Sequence, residues 1–414
     1  MKVLHLNYYD LVGGAAVAMY RLHTLFKKNN NINSKLLVFE KKINESDTIS
    51  EDYFLKNHSN FFKRKISFNL TKLQRIYSKQ THSLNIFNSG ILKKINKINP
   101  DIVHLHWINN EFISIKEIGK IGYPVVWTFY DMWPFCGCEH YTLDNRYLEG
   151  YSTNNNPKEN NGLDLNKYVW NLKKKYWRHK KFEIVCLSNW LAEQAKNSNL
   201  FKNSNIHTIA PPIDFEKWIG LPKNLARNRL NLSEDYFYIL FGAANGTGDS
   251  RKGFELVIDV VNKFSKNCKN IHLLTFGNAR NDDIKKLNVP STNFGEIKYD
   301  DHDKLSLIYS ASDISLLPSK IEAFGQVGLE SLACKTPIIC FEKTGFQDMI
   351  EHKKNGYICR YMDQSDLLQG LLWYFNLQSY EKNKINEEAR NFVENKFSEK
   401  RIISEYSNIY KKLL

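Results

Sequence analysis

The stretch Ser319–Ile339, SKIEAFGQVGLESLACKTPII, sets two glutamates eight positions apart, Glu322 and Glu330, around Gly325 and Gly328. It lies between two short apolar runs, ISLLPS and PIICF, that have the length of buried strands. A strand, a helix opened by small residues and a second strand form the repeating unit of a parallel sheet, since parallel strands need a crossover between them. Working outward, the same alternation continues. The second half reads YFYILFG, a helix after Lys252, IHLLTFG, a helix near DKLSLIYSAS, then ISLLPS, GLESLAC, PIICF and closing helices. The first half begins with KVLHLNYY, an amphipathic helix from about Ala15 to Lys28, and SKLLVFE. A basic, mostly helical segment follows from Phe54 to Ile98, broken near Asn85 to Gly90. Then come DIVHLHW, a short helix in IKEIGKI, PVVWTFY, an Asn-rich loop from Ser152 to Gly162, a basic helix and FEIVCLS.

Between the halves, IAPPID (Ile209–Asp214) interrupts the alternation with a Pro-Pro pair, a plausible joint. The expectation is an α/β fold of two doubly wound, Rossmann-like domains. They would span residues 1–210 and 211–396, and a helix over 397–414 would pack back on the first. Such sheets bind ligands beyond the carboxyl ends of their strands, so two facing halves would place two binding edges across a cleft.

Composition agrees with this size. The 414 residues are too many for one ordinary core, and 42% of them are apolar. MKVLHLNYYD reads as a strand and lacks the apolar segment of a signal peptide, and nowhere do eighteen apolar residues run together. Seven cysteines, an odd number scattered through apolar runs, fit a reduced compartment. A cytoplasmic protein is expected. Cys136, Cys138 and His140 crowd three soft ligands into CGCEH, yet no second pair follows to complete a tetrahedron, so this reads as a loop with two free thiols.

The formal charge of +14 is unevenly spread. From Tyr53 to Pro100 there is no acid, while ten Lys or Arg occur, and Leu165 to Phe182 carries seven more without an acid. Both runs are interleaved with aromatics, as in NFFKRKISF and VWNLKKKYWRHKKF. Nucleic acid, an anionic membrane face and a phosphorylated substrate all suit such a surface, and a solvated helix face is the ordinary alternative. No nucleic-acid motif accompanies the charge.

A helix starting near Gly325 leaves Glu322 in the loop before it and Glu330 about a turn and a half inside. Backbone N–H groups of Ala323, Phe324, Gly325 and Gln326 would then form an anion site at the helix start. Glutamates that can accept from vicinal hydroxyls flank that site, which points to a ligand both phosphorylated and rich in hydroxyls: a nucleotide-sugar. Asp301 and Asp303 open the helix after DDHD and read as a cap rather than a metal site.

YSASDISLLPSKIEAFGQVGLESLACKTPIICF and TGFQDMIEHKKNGYI together resemble the donor-binding region of glycosyltransferase family 4, retaining enzymes of the GT-B fold. The Glu-x7-Glu pair of that family corresponds to Glu322 and Glu330. GGAAVAMYRL, DIVHLHWINNEFISI, VVWTFYDMWPFCGCEHY and SNWLAEQAKNSNLF extend the resemblance over nearly the whole chain, toward the branch that builds bacterial surface polysaccharides. It implies that Arg251 and Lys252, in FGAANGTGDSRKGFELVIDVV, hold the donor diphosphate without a metal. Two cations stabilising a departing diphosphate is sound electrostatics. Gly13 and Gly14 would allow close approach of donor or acceptor, or simply form a tight turn. Ile297 would lie where the base is read through backbone, and Asp131, His106 and Trp133 on the acceptor side. Catalytic roles fall to Glu322, Arg251, Lys252 and Tyr130. The family has His-Asp where this chain has Tyr130-Asp131; a tyrosine hydroxyl can still orient a sugar but carries no positive charge. His104 and His106 are read as pointing to opposite sides of their strand, so that one could reach the cleft, with a satisfied core histidine the preferred reading for each.

The implied partners are a UDP- or GDP-linked sugar, a lipid-linked saccharide acceptor and the anionic inner face of the plasma membrane. No cofactor, metal or nucleic acid is implied. A nucleotide-sugar-binding relative without activity is the rival.

Overall fold

The structure is a computed structural model. It describes all residues except 29–31, 43–45, 51–53, 74–80, 159–161, 244–245 and 299–300, with backbone alone for 50 and 54–60. Arg75 and Lys79 of the first basic run, part of the Asn-rich loop and Asp300 therefore lie outside the described residues. The chain divides into two compact units, Met1–Pro212 with Lys400–Leu414, and Ile213–Glu399.

In the first unit, β1 (Lys2–Tyr9), α1 (Gly14–Lys28), β2 (Asn33–Glu40), β3 (Thr48–Ser50), α2 (Phe54–Lys72) and α3 (Ile91–Ile98) come first. β4 (Ile102–Leu105), α4 (Ile115–Gly119), β5 (Val125–Phe129), α5 (Arg146–Glu149), α6 (Leu165–Trp177), β6 (Glu183–Cys186), α7 (Asn189–Asn197) and β7 (Asn205–Thr208) complete it. The strands are all parallel, in the order β3-β2-β1-β4-β5-β6-β7. Central strands of such a sheet are covered on both faces and read as unbroken apolar runs, which is why β1, β4 and β5 are legible in the sequence. One face packs on Leu22, Leu25 and Phe26 of α1, and the C-terminal helix, residues Glu399–Leu413, adds Ile402, Tyr406, Ile409 and Tyr410 to the same core.

The second unit runs α8 (Lys223–Arg229), β8 (Phe237–Gly242), α9 (Phe254–Phe264), β9 (Ile271–Phe276), α10 (Asn281–Ile284), β10 (Ser291–Asn293) and α11 (His302–Ala311). It continues with β11 (Ile314–Leu317), α12 (Gln326–Ala333), β12 (Ile338–Phe341), β13 (Gly356–Cys359), α13 (Gln364–Phe375) and α14 (Ser379–Lys396). The strand order is β10-β9-β8-β11-β12-β13, again parallel. Val257, Val260, Val261 and Phe264 of α9 meet Leu367, Leu371 and Tyr374 of α13 over the inner strands. Asp301 caps α11, its carboxylate accepting from Lys304 N, which is the capping role expected of it.

In both sheets the order of strand addition reverses once, between β1 and β4 and between β8 and β11. Ligands of doubly wound sheets bind at these reversals, beyond the strand ends. The chain leaving β1 reaches Gly13-Gly14, and that leaving β4 reaches His106. The chain leaving β8 reaches Arg251-Lys252, and that leaving β11 reaches Glu322.

One expectation is overturned. His104 and His106 do not face opposite sides, because residues two apart on a strand share a face. Their rings lie 4.1 Å apart, beside His5, the cross-strand partner of His104.

Candidate functional site

In the second unit, Gly325 begins α12 with φ +91° and no side-chain cap. A Cβ there would stand 2.0 Å from the ring of Phe346, so both backbone and packing demand glycine. At Gly328 a Cβ would meet Phe346 at 2.8 Å and Ile338 of β12 at 3.1 Å, so this glycine sets how closely α12 lies on the sheet. Ala323 and Phe324 are buried just before the helix, and the carbonyl of Glu322 accepts from Gly345 N at 2.8 Å.

Lys252 and Glu322, seventy residues apart, meet in a direct Nζ–Oε2 ion pair. Arg251 is clamped by Asp249, whose carboxylate takes its Nε at 3.1 Å and its Nη2 at 2.6 Å. Asp249 also accepts from Arg251 N, which closes the short turn before α9. Glu330 is 8% exposed and accepts from the Tyr309 hydroxyl at 3.2 Å, which fixes the carboxylate from α11. A Cβ at Gly246 would stand 2.0 Å from the Asn278 carbonyl oxygen, and Thr247 Oγ1 accepts from Arg280 N at 2.9 Å, joining the loops after β8 and β9. Beside them, Gly277 N donates to Gly295 O at 2.7 Å, two residues before the half-buried Ile297. Arg251, Lys252, Glu322 and the start of α12 thus gather at one sheet edge. Tyr309, Asp249 and Phe346 were not singled out in the sequence; a tyrosine in an amphipathic helix and a phenylalanine in a loop look like ordinary core residues.

In the first unit, Gly13 has φ +86° with open space around it, a turn that α1 follows directly. Tyr130 is half-buried, and its hydroxyl lies 3.0 Å from His106 Nδ1, while His106 Nε2 lies 2.9 Å from His5 Nδ1. His104 completes the cluster between the Tyr410 hydroxyl at 2.7 Å and Thr128 Oγ1 at 2.8 Å. Burial, with the like-signed neighbours second, holds all three imidazoles well below their ordinary range, so they are neutral. Burial likewise pushes the Tyr130 phenol well up. Among the described residues these histidines form the one group of three whose ligand atoms all lie within 4.8 Å. The hydroxyls of Tyr130, Thr128 and Tyr410, and the His5–His106 contact, already engage five of their six ring nitrogens, and hydrogen bonding is what this geometry serves.

Asp131 joins a second network. It accepts from Trp133 N at 3.0 Å and Trp107 Nε1 at 3.0 Å, and meets His140 Nδ1 at 2.6 Å; His140 Nε2 reaches Ser83 Oγ at 2.9 Å. Trp133 is buried, donating its indole N–H to Ser83 O at 2.8 Å, so it anchors the loop rather than offering a face to solvent. Lys173 sits 3.7 Å over its ring, with Nζ donating to the carbonyls of Trp133, Cys136 and Gly137. Cys136 and Cys138 are buried thiols outside any disulfide, pushed up by burial, and Cys138 Sγ donates to Asn166 Oδ1 at 2.6 Å.

Comparison with known proteins assigns both halves. The family profile described as glycosyl transferases group 1 matches residues 223–394, and that described as glycosyltransferase family 4 matches residues 59–217. The chain is 32% identical over 108 residues to an N-acetyl-alpha-D-glucosaminyl L-malate synthase of Bacillus anthracis, covering 26% of this chain and 28% of that protein. It is 25% identical over 241 residues to the capsular polysaccharide biosynthesis glycosyltransferase CapM of Staphylococcus aureus, covering 56% of this chain and 62% of that one. The chain thus spans less than two thirds of these curated relatives. In structure it resembles HepE of Anabaena in complex with UDP-glucose, with TM-score 0.63, 12% identity and full coverage of both chains. That likeness establishes the GT-B architecture.

Proposed function

Because the chain belongs to glycosyltransferase family 4, we propose that it moves a hexose-type sugar from a UDP- or GDP-linked donor to a lipid-linked oligosaccharide, with retention of configuration. The relationship to a capsular polysaccharide glycosyltransferase supports a place in surface polysaccharide synthesis. The observation that carries the reading is the Lys252–Glu322 ion pair beside the Gly325 helix start. It holds a cation and a hydroxyl-accepting carboxylate where a sugar joined to a diphosphate needs both.

In this reading Lys252 and Arg251 take the diphosphate, backbone groups of Ala323 to Gln326 orient phosphate and sugar, and Glu330 holds the ribose. Glu322 accepts from sugar hydroxyls, and Ile297 lies beside the base. The acceptor oxygen attacks the anomeric carbon on the face the diphosphate leaves, and the departing diphosphate takes the acceptor proton. Bond cleavage builds charge on the leaving oxygen, and preorganised cations stabilise that charge more than they stabilise the bound donor. Gly13 and Gly14 supply the turn for close ligand approach, and Asp131 and His106 lie on the acceptor side, while the buried Trp133 serves it only by anchoring the loop that carries Asp131. The enzyme would work at the inner face of the plasma membrane. No helix among the described residues is long and apolar enough to cross one.

A second reading, a donor-binding relative without turnover, is favoured by one observation: the Tyr130 hydroxyl is engaged by His106 within a buried cluster. The test is NMR of the anomeric proton during incubation with UDP- and GDP-hexoses and a lipid-linked acceptor. An α-linked product from an α-linked donor supports transfer with retention. An inverted product refutes retention, and donor binding with neither transfer nor hydrolysis selects the second reading.

A further inference from the structure

The helix α2 carries on its outer side what surface helices ordinarily bury. Its inner side is tied down. Ser67 Oγ donates to Glu111 Oε1 at 2.8 Å, Lys63 Nζ donates to Asn88 O at 2.8 Å, and the Arg64 guanidinium lies 5.1 Å from the Tyr8 ring centre. Facing outward are Phe61, Phe62, Ile66 and Phe68, exposed by 59, 60, 48 and 62%, with Leu73, 50% exposed, just past the helix end. At roughly 100° per residue these five and Lys65, Asn69 and Lys72 share one arc of roughly 160°. Phe68 and Phe61 form one edge of the arc, the lysines run beside them, and Phe62, Leu73 and Ile66 form the other edge. No acid occurs anywhere from Tyr53 to Pro100.

A cluster of exposed apolar side chains on this scale marks a contact surface. Its lysines decide which kind. Lysine is depleted from protein–protein contacts, where burying its charge is costly. On a helix lying in a bilayer surface, lysine stems run along the apolar face while the ammonium groups reach lipid phosphates. A groove of about 450 Å³ opens along the same helix, lined by Phe61, Arg64, Phe68, His82, Ser83 and Glu111. Its Ser83 hydroxyl is the end of the chain that runs through His140 to Asp131.

We propose that α2 is the bilayer-contacting element of this protein. Phe61, Phe62, Ile66, Phe68 and Leu73 enter the headgroup region of an anionic lipid surface, and Lys65 and Lys72 meet its phosphates. The inference rests on the reading that the acceptor is lipid-linked and names the surface that brings the protein to it. The exposed Lys174 and Lys175 of α6 belong to the other basic run and provide the internal control.

The experiment is co-sedimentation of the full chain with vesicles of phosphatidylcholine alone and of phosphatidylcholine with phosphatidylglycerol. Wild type is expected to bind the anionic vesicles and not the neutral ones. Lys65→Ser with Lys72→Ser should lower the partition coefficient about 25-fold, at about fivefold per lysine. Phe62→Ser with Ile66→Ser should lower it about tenfold or more. Lys174→Ser with Lys175→Ser should change it far less. All variants should keep the wild-type melting temperature and elution volume. Equal binding to both vesicle types, full binding by the apolar variant, or an equal loss with the α6 pair would overturn the proposal. So would a changed elution volume in the α2 variants, which would make this face a contact between copies. Donor response is measured separately by thermal shift. Vesicle failure with an intact donor shift sinks the α2 proposal alone, and vesicle binding without any donor shift sinks the transferase reading alone.

Discussion

Replacing Gly325 by alanine tests whether the start of α12 is built as described. The residue sits at φ +91°, and an L side chain there costs about 1–2 kcal/mol. The added Cβ would also stand 2.0 Å from the Phe346 ring, which must shift, and overpacking of a filled site costs about 1–3 kcal/mol. Together these predict a loss of about 2–5 kcal/mol. Two neighbours in the same unit separate the contributions. Gly295 has φ +70° with nothing within 4 Å of its Cβ, so Gly295→Ala carries the backbone cost alone. Gly328→Ala carries only the contacts at 2.8 and 3.1 Å. Urea unfolding of the full chain, followed in the transition of the second unit, ranks the three, with Gly325→Ala the most destabilised. Phe346→Ala is itself destabilising because the ring is buried, but measured in that background the Gly325→Ala step should cost only the backbone part. If Gly325→Ala unfolds at the same urea concentration as Gly295→Ala, the Phe346 contact does not define the helix start and the reasoning fails.

In the proposed reaction Lys252 stabilises the leaving diphosphate, so Lys252→Ala should lower kcat about 100- to 1,000-fold in steady-state transfer assays, with a smaller change in donor KM; unchanged kcat would remove Lys252 from the chemistry. The first unit should also carry two opposite pH dependences from the neighbouring Glu139 and Lys173, on top of the rise up to about pH 6.5 that its three neutral, buried histidines impose. Burial pushes the Glu139 carboxyl up to about 7 from 4.5, so the folded state holds the extra proton between these values and stability falls as pH rises across them. Burial pulls Lys173 down to about 7 from 10.5, so there the unfolded state holds the extra proton and stability rises with pH. Thermal melts from pH 4.5 to 10, taken as the difference between wild type and Lys173→Met, should isolate the rise between about pH 7 and 10; a difference that stays flat across that window contradicts the assignment.

The sequence reveals the centre of each sheet better than its rim. β3, β7, β10 and β13 escape recognition, and all four are edge strands. They are short, and TIS, NIHT and STN lack the apolar runs that double coverage imposes on inner strands. The Glu322 and Glu330 pair was legible because its spacing lies within one continuous segment. The Lys252–Glu322 contact was foreseeable only through family resemblance, since crossovers separate its partners. The histidine cluster was misread because the period of a strand was misapplied to His104 and His106. The Asp131–His140–Ser83 chain left no trace in spacing, because its members join through loops. The outward apolar face of α2 is obscured in the sequence because Phe61, Phe62, Ile66 and Phe68 are interleaved with Lys63, Arg64, Lys65 and Lys72.

The central claim is that the glutamate-flanked start of α12 holds a nucleotide-sugar. The direct measurement is a thermal-shift panel of UDP- and GDP-linked hexoses on the wild type and on Glu330→Ala, since a ligand bound by the folded state raises the melting temperature. The account predicts that one nucleotide class stabilises the wild type and that the shift is largely lost in Glu330→Ala, whose missing carboxylate contributes about 1.5–3 kcal/mol of charged hydrogen bonding to the ribose. A wild type that responds to no donor, or a Glu330→Ala variant that responds in full, would contradict it.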